Sequence, residues 1–311
     1  MRPPGQASDD GEPAGTARHR EETRPPTVAV VTDSTCDLPD ALVEELGLRV
    51  VPLSVAFGDQ SLIAGVELST EAFHARLADT ERLPTTSQPA PVWFEEAYAD
   101  CADEGYTRVV SLHCSAALSG TVALARDRAR RAPLDVEVVD SRLVGGALGA
   151  AVLAAHRVAQ QGGDTAEVVA AAERVRTTAR SLIVVDTLDH LRRGGRLTGA
   201  QAAIGTALQV KPILHLTADG RVEVRERTRT WRRAMERVAA LAAEAAAGRA
   251  VDVVVTHAVA QERAGHLLAT LAEAVEIRQR HETLIGAVVG THVGPGAVGV
   301  VVVPVPEEDA G

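Results

Sequence analysis

The sequence predicts an α/β protein in which an N-terminal, doubly wound and mostly parallel sheet is followed by a C-terminal α+β unit. Three observations carry this expectation. Short apolar runs alternate with longer amphipathic segments along most of the 311 residues. The early runs are continuous and Val-rich, as in strands covered on both faces. A later run, RVEVRERT (221–228), instead alternates polar with apolar positions, the mark of a strand solvated on one face. The change in strand character after about residue 180 places a boundary there, giving units of 27–180 and 181–305.

The elements follow in chain order. Residues 1–26 hold five of the 15 prolines, mixed charges and no Val, Leu, Ile or aromatic residue, so this tail is expected to be disordered. It has no apolar segment after Arg2, so no secretory signal is expected. The first strands are TVAVVT (27–32), LRVVPLSVAF (48–57), TRVVSLH (107–113) and DVEVVD (135–140). SLIVVD (181–186), KPILHL (211–216), RVEVRERT and AVDVVVTH (250–257) follow. KPILHL and RVEVRERT pair as a hairpin through Ala218-Asp219-Gly220. Helix starts are expected at Asp37 with Pro39, and at Ser69, Ser119 and Asp164. Residues 284–303 are apolar enough to raise a membrane span, but their five glycines, Pro295 and His292 read better as two buried strands around a turn.

Composition narrows the function. The chain is 46% apolar yet has only seven aromatic residues, so its core is almost wholly aliphatic. Its net charge of −10 gives no support to nucleic-acid binding, which draws affinity from neutralised phosphates. Cys36, Cys101 and Cys114 form no C-x-x-C pair and are odd in number, which fits a reducing cytoplasm. Neither a P-loop, nor G-x-G-x-x-G after a strand, nor a metal-ligand cluster occurs, so no nucleotide cofactor and no metal is expected.

Candidate chemistry gathers at the carboxyl ends of the early strands, where α/β sheets bind ligands. These ends read Thr32-Asp33-Ser34-Thr35, then Ser115 to Thr121 with Ser119 between, then Asp140-Ser141 before Gly145-Gly146. A separate polar loop runs from Pro84 through Thr86 to Pro89. His292 precedes Gly294-Pro295-Gly296, whose glycines permit close approach. Arg196 closes Arg-Arg-Gly-Gly-Arg and suits a carboxylate or phosphate clamp. An acyl ester hydrolase using Ser119, His292 and Asp33 is one reading, but the Ser119 region lacks both glycines of G-x-S-x-G. A pocket of hydroxyl donors with one His and one Arg, walled by aliphatic residues, suits a carboxylate with a long apolar tail.

The motifs TDSTCDLP (32–39), TSQPAP (86–91), LSGT (118–121), VVDS (138–141), RRGGRLTGAQAAIGTALQVKPIL (192–214) and HVGPGAVG (292–299) go further. In this order and spacing the chain resembles the DegV family of bacterial fatty-acid-binding proteins over about residues 27–305. The resemblance implies a long-chain fatty acid buried between two domains and no catalysis by the protein itself. It also implies a separate ATP-dependent fatty-acid kinase that turns the presented carboxylate into an acyl phosphate for phospholipid synthesis, with transient contact at a membrane surface. Thr86 and Ser119 match the hydroxyls that contact the carboxylate, and Arg196 and His292 match the supporting network, which Asp33, Ser34 and Thr121 extend. Arg229 matches the arginine that meets the kinase. Two departures stand out: the family's Ser-Ser before LSGT reads Ser115-Ala116 here, and the 26-residue extension is outside the pattern. Arg221 to Arg237 holds seven arginines against three glutamates, a local charge of +4 suited to an acidic partner or anionic bilayer. A lipid-sensing regulatory protein without acyl transfer is the remaining alternative.

Overall fold

The computed structural model describes residues 27–80, 82–198 and 210–305. The N-terminal tail and positions 199–209 of the long glycine-rich motif lie outside the described residues, so the expectations placed on them are not taken further.

Strand β1 (Val28–Asp33) is buried along its whole length. It ends in a 3₁₀ turn at Ser34–Cys36, followed by α1 (Asp40–Leu46) and β2 (Arg49–Val51), which lies parallel beside β1. Pro52 then ends pairing, and the run expected as one strand continues as β3 (Ser54–Phe57) in a different sheet. The small sheet is completed by β4 (Gln60–Ile63) and, after α2 (Thr70–Ala78), by β5 (Thr85–Ser87). The short sequences of β4 and β5, Gln-Ser-Leu-Ile and Thr-Thr-Ser, carry too few apolar residues to announce strands. Next come α3 (Pro91–Asp103), β6 (Arg108–His113), α4 (Thr121–Ala129), β7 (Asp135–Asp140), α5 (Gly146–Gln160) and α6 (Thr165–Thr178). The order β2-β1-β6-β7 is parallel throughout, as the Val-rich runs implied.

The second half is a six-stranded mixed sheet. It comprises β8 (Arg180–Val184), α7 (Asp189–Arg193), β9 (Lys211–Leu216), β10 (Val222–Thr228), α8 (Trp231–Ala246), β11 (Val251–His257), α9 (Gln261–Ala274), β12 (Ile277–Leu284), α10 (Ala287–Val293) and β13 (Val298–Pro304). The strand order is β10-β9-β8-β13-β11-β12, with the expected β9–β10 hairpin at one edge. Strand β12 at the other edge is mostly exposed and charged, which hides it from a search for apolar runs and discourages pairing with other chains.

Helix α5 joins the halves. One core contains Val28, Val30, Val110 and Leu112 of the parallel sheet, Leu148 and Val152 of α5, and Val301 of β13. The approach is close: a Cβ on Gly149 would come within 2.6 Å of the Cys36 carbonyl oxygen, so glycine is required there.

Three local expectations are corrected. Ser119 does not cap α4; Gly120 occupies that position, with no side-chain capping bond. Asp37 does not cap α1; Pro39 occupies that position, and the Asp37 carboxylate turns inward to accept from Gly286 N at 3.1 Å. Residues 287–293 form a helix instead of a strand, with Thr291 Oγ1 donating to Ala287 O at 2.9 Å. Five of its seven residues are buried, and a short helix covered on most sides has the same unbroken apolar run as a buried strand. The predicted starts at Ser69 and Asp164 are seen, the latter as a capping box with Glu167.

Candidate functional site

In the parallel sheet the chain reverses its winding between β1 and β6, and the loops beyond their carboxyl ends come together there. A cavity open to solvent, roughly 1050 Å³ when the open space at its mouth is counted, lies between these loops, the β5 segment, α10 and the inner face of the six-stranded sheet. Leu182, Ile183, Leu214, Val288, Val300 and Val301 supply much of its aliphatic wall. Thr86, Ser119, Arg196 and His292 all line it.

The polar residues meet through long-range contacts. Register with β3 places Thr86 opposite Val55, and Thr86 Oγ1 lies 2.9 Å from His292 Nε2 on the last turn of α10. His292 Nδ1 is buried without a hydrogen bond among the described residues. Gly194 lies against that nitrogen, leaving no room for a side chain. Burial pushes the His292 pKa down to about 4, with Arg196 and His190 adding to the effect, so the ring is neutral near pH 7. Arg196 Nε donates to Leu118 O at 3.2 Å, which ties the guanidinium to the loop bearing Ser119. Ser119 Oγ is 2.8 Å from Thr121 Oγ1 and accepts from Thr121 N at 3.3 Å.

Asp33, Ser34 and Thr121 stand behind this surface and do not line the cavity. Asp33 is fully buried; its Oδ1 accepts from Thr35 N and Oγ1 at 3.1 and 2.6 Å, and its Oδ2 accepts from Cys114 N at 3.0 Å. Burial alone would raise its pKa, but hydrogen bonds from His113, Thr35 and Cys114 outweigh that and hold it below the usual value. Asp33 therefore braces the β1 and β6 loops against each other. Ser34 Oγ accepts from Leu53 N at 3.0 Å and so orients the chain leading to β3. Arg229 is exposed in the turn between β10 and α8 and enters no ion pair among the described residues. Nearby, Arg237 forks onto Glu226 with two 2.8 Å bonds, so part of the basic stretch is internally neutralised.

The sequence reading missed three features. Asp37 and Thr256 line the cavity, and Cys114 lines it close to the Ser119 and Thr121 hydroxyls. Asp37 sits inside the TDSTCDLP segment, but its capping pattern suggested a purely local role. The third is a buried chain, Tyr98 OH to Ser111 Oγ at 2.8 Å, Ser111 Oγ to His113 Nε2 at 2.6 Å, and His113 Nδ1 to Asp33 Oδ2 at 3.0 Å. This is the pairing order of a hydrolytic triad, yet Ser111 and His113 are fully buried and do not line the cavity. Ser119 and His292, the pair considered for hydrolysis, both line it but share no hydrogen bond.

Fold and site define a three-sheet α/β ligand-binding protein, with a mainly apolar cavity and a polar cluster of hydroxyl, imidazole and guanidinium groups. A family model described as an uncharacterised protein of the DegV family matches residues 27–305, and the chain belongs to that family. It is 45% identical over 276 residues to a DegV domain-containing protein of Streptomyces coelicolor, covering 88% of this chain and 98% of that one. Among solved structures, a DegV family protein from Thermus thermophilus described by its fatty-acid binding superposes with a TM-score of 0.83 at 34% identity, covering 90% of this chain and 100% of that chain. DegV from Bacillus subtilis, described as a fatty-acid-binding protein, superposes with a TM-score of 0.80 at 33% identity, covering 90% and 99%.

Proposed function

We propose that this protein is a carrier that encloses one long-chain fatty acid in the cavity and presents its carboxylate to a separate ATP-dependent fatty-acid kinase. In this reading the halves 27–180 and 181–305 close over the ligand. The observation that carries it is the joining of Thr86, His292, Arg196 and the Ser119 loop at one part of a mainly apolar cavity. In the Nε2–H tautomer of the neutral imidazole the ring donates to Thr86 Oγ1, and the Thr86 hydroxyl proton is then free to donate to a carboxylate. Ser119 supplies a second hydroxyl and Arg196 a nearby positive charge. A buried CH₂ contributes about 0.8 kcal/mol, so a palmitoyl-length tail supplies roughly 10 kcal/mol before ordering costs. Tail burial sets affinity and the polar cluster sets orientation.

The kinase step extends this reading. Arg225, Arg227, Arg229 and Arg233 are exposed around the β10–α8 turn, a cationic face suited to an acidic kinase surface and to brief contact with anionic lipid. No helix among the described residues is long and apolar enough to cross a membrane. A cytoplasmic setting fits Cys36, Cys101 and Cys114, all buried free thiols.

The test is solvent extraction of purified protein with mass spectrometry of the extract, followed by addition of kinase and ATP. A bound fatty acid and its conversion to acyl phosphate are expected. Absence of any lipid, with no uptake on addition, overturns the carrier reading; bound lipid without acyl phosphate overturns the kinase step and favours a lipid-sensing role.

A further inference from the structure

Asp37 is the buried polar group for which head-group binding has no use. It is 7% exposed and sits at a left-handed φ of 52°. Thr283 Oγ1 donates to its carbonyl at 3.1 Å, and Gly286 N donates to its Oδ1 at 3.1 Å, so the C-terminal half clamps it from one side. Its Oδ2 lies towards Gly145, whose Cβ, if it had one, would stand 3.4 Å away. No hydrogen bond reaches Oδ2 among the described residues. Gly145 lines the main cavity, Gly286 lines a separate outer groove, and Asp37 lines both. Asp37 thus stands in the wall between the two, with one carboxyl oxygen taking the Gly286 bond and the other, towards Gly145, left without a hydrogen bond among the described residues.

A plain acyl chain lying beside that oxygen would leave it desolvated and unbonded, which is unfavourable. A hydroxyl on the chain would satisfy it, and Thr35 and Thr256 line the same cavity. Gly286 and His292 are six residues apart across α10, about 9 Å along a helix axis, so the carboxyl stands well away from the head-group cluster. We infer that Asp37 forms a subsite for a hydroxyl near the middle of the acyl chain, making a mid-chain hydroxylated long-chain fatty acid the preferred ligand class. The inference rests on the carrier reading. Burial raises the Asp37 pKa to about 8, so near pH 7 the carboxyl is protonated and both donates to and accepts from a hydroxyl. Sites that hydrogen-bond a ligand hydroxyl discriminate strongly against the analogue lacking it.

The experiment is displacement of a fluorescent fatty acid from the delipidated full-length protein at neutral pH. Competitors are octadecanoic acid, its mid-chain hydroxylated counterpart and a counterpart hydroxylated at the methyl end. The mid-chain compound is expected to compete at least about tenfold more tightly than the plain chain, and the end-hydroxylated one to gain nothing. Asp37→Leu should bring the mid-chain ratio to near one. Equal competition by all three in the wild type, or an unchanged ratio in Asp37→Leu, overturns the subsite and leaves the carrier reading intact. Displacement by none of them overturns both. The comparison of hydroxyl positions needs no variant, so it decides the matter even if Asp37→Leu does not fold.

Discussion

Replacing Asp37 by Asn tests whether the native state holds a carboxyl that resists ionisation. The substitution keeps the shape and retains an oxygen that can accept from Gly286 N at the present 3.1 Å. In the folded protein burial raises the Asp37 pKa from 3.8 to about 8, with the Asp33 charge adding to the rise and the Gly286 bond opposing it. The unfolded chain loses this proton near the ordinary value, while the folded chain keeps it until about pH 8. Between those limits the folded state binds more protons, so stability falls as pH rises and levels off above the folded pKa. At about 1.4 kcal/mol per pH unit, the separation amounts to on the order of 5 kcal/mol across the window. Asn cannot ionise, so this loss disappears. Urea unfolding of both proteins at pH 5, 7 and 9 is the assay. The stability advantage of Asp37→Asn should grow by several kcal/mol between about pH 5 and 9. Parallel curves for the two proteins over that range would refute the reasoning.

Other consequences are equally direct. The His292 ring should titrate by NMR with a midpoint near 4, because burial disfavours its cation; a midpoint near 6.5 would mean the ring is solvated. Its lowered pKa makes the native state lose stability as pH falls from 6.5 towards 4. Gly194→Ala should displace the imidazole, since the new Cβ would press on Nδ1 and stand 2.9 Å from Cε1, breaking the Thr86 contact. A loss of about 1–3 kcal/mol in stability and weaker fatty-acid retention are expected, and wild-type values for both would refute the contact. Tyr98→Phe removes the first hydroxyl of the Tyr98–Ser111–His113–Asp33 chain and should cost about 1–2 kcal/mol in urea unfolding, with no change in ligand uptake. Arg229→Glu should slow transfer to the kinase while bound lipid stays constant, as measured by acyl phosphate formed per lipid-loaded carrier; an unchanged rate removes Arg229 from docking.

Much of the architecture was legible because local preference and burial agree. DVEVVD, KPILHL and AVDVVVTH became strands within a residue of their expected limits, and Ser69 and Asp164 cap the helices they precede. Legibility failed where the local pattern was ambiguous or deceptive. Val288 and Val289 read as strand but lie in a buried helix, β5 and β12 carry polar sequences, and Asp37 has a capping residue's identity but reaches across the fold.

What the sequence determined by itself was the alternation of strands and helices, the parallel character of the first sheet and the hydroxyl-bearing loops at its carboxyl ends. These follow from interactions among near neighbours, which a linear pattern records. Only the tertiary structure brought Thr86 against His292 across 206 residues, set Gly286 on Asp37 across 249, and turned Asp33 into a brace behind the cavity. Such pairings depend on how α5 and α10 pack between sheets, where close glycine approaches and burial of polar groups decide the geometry.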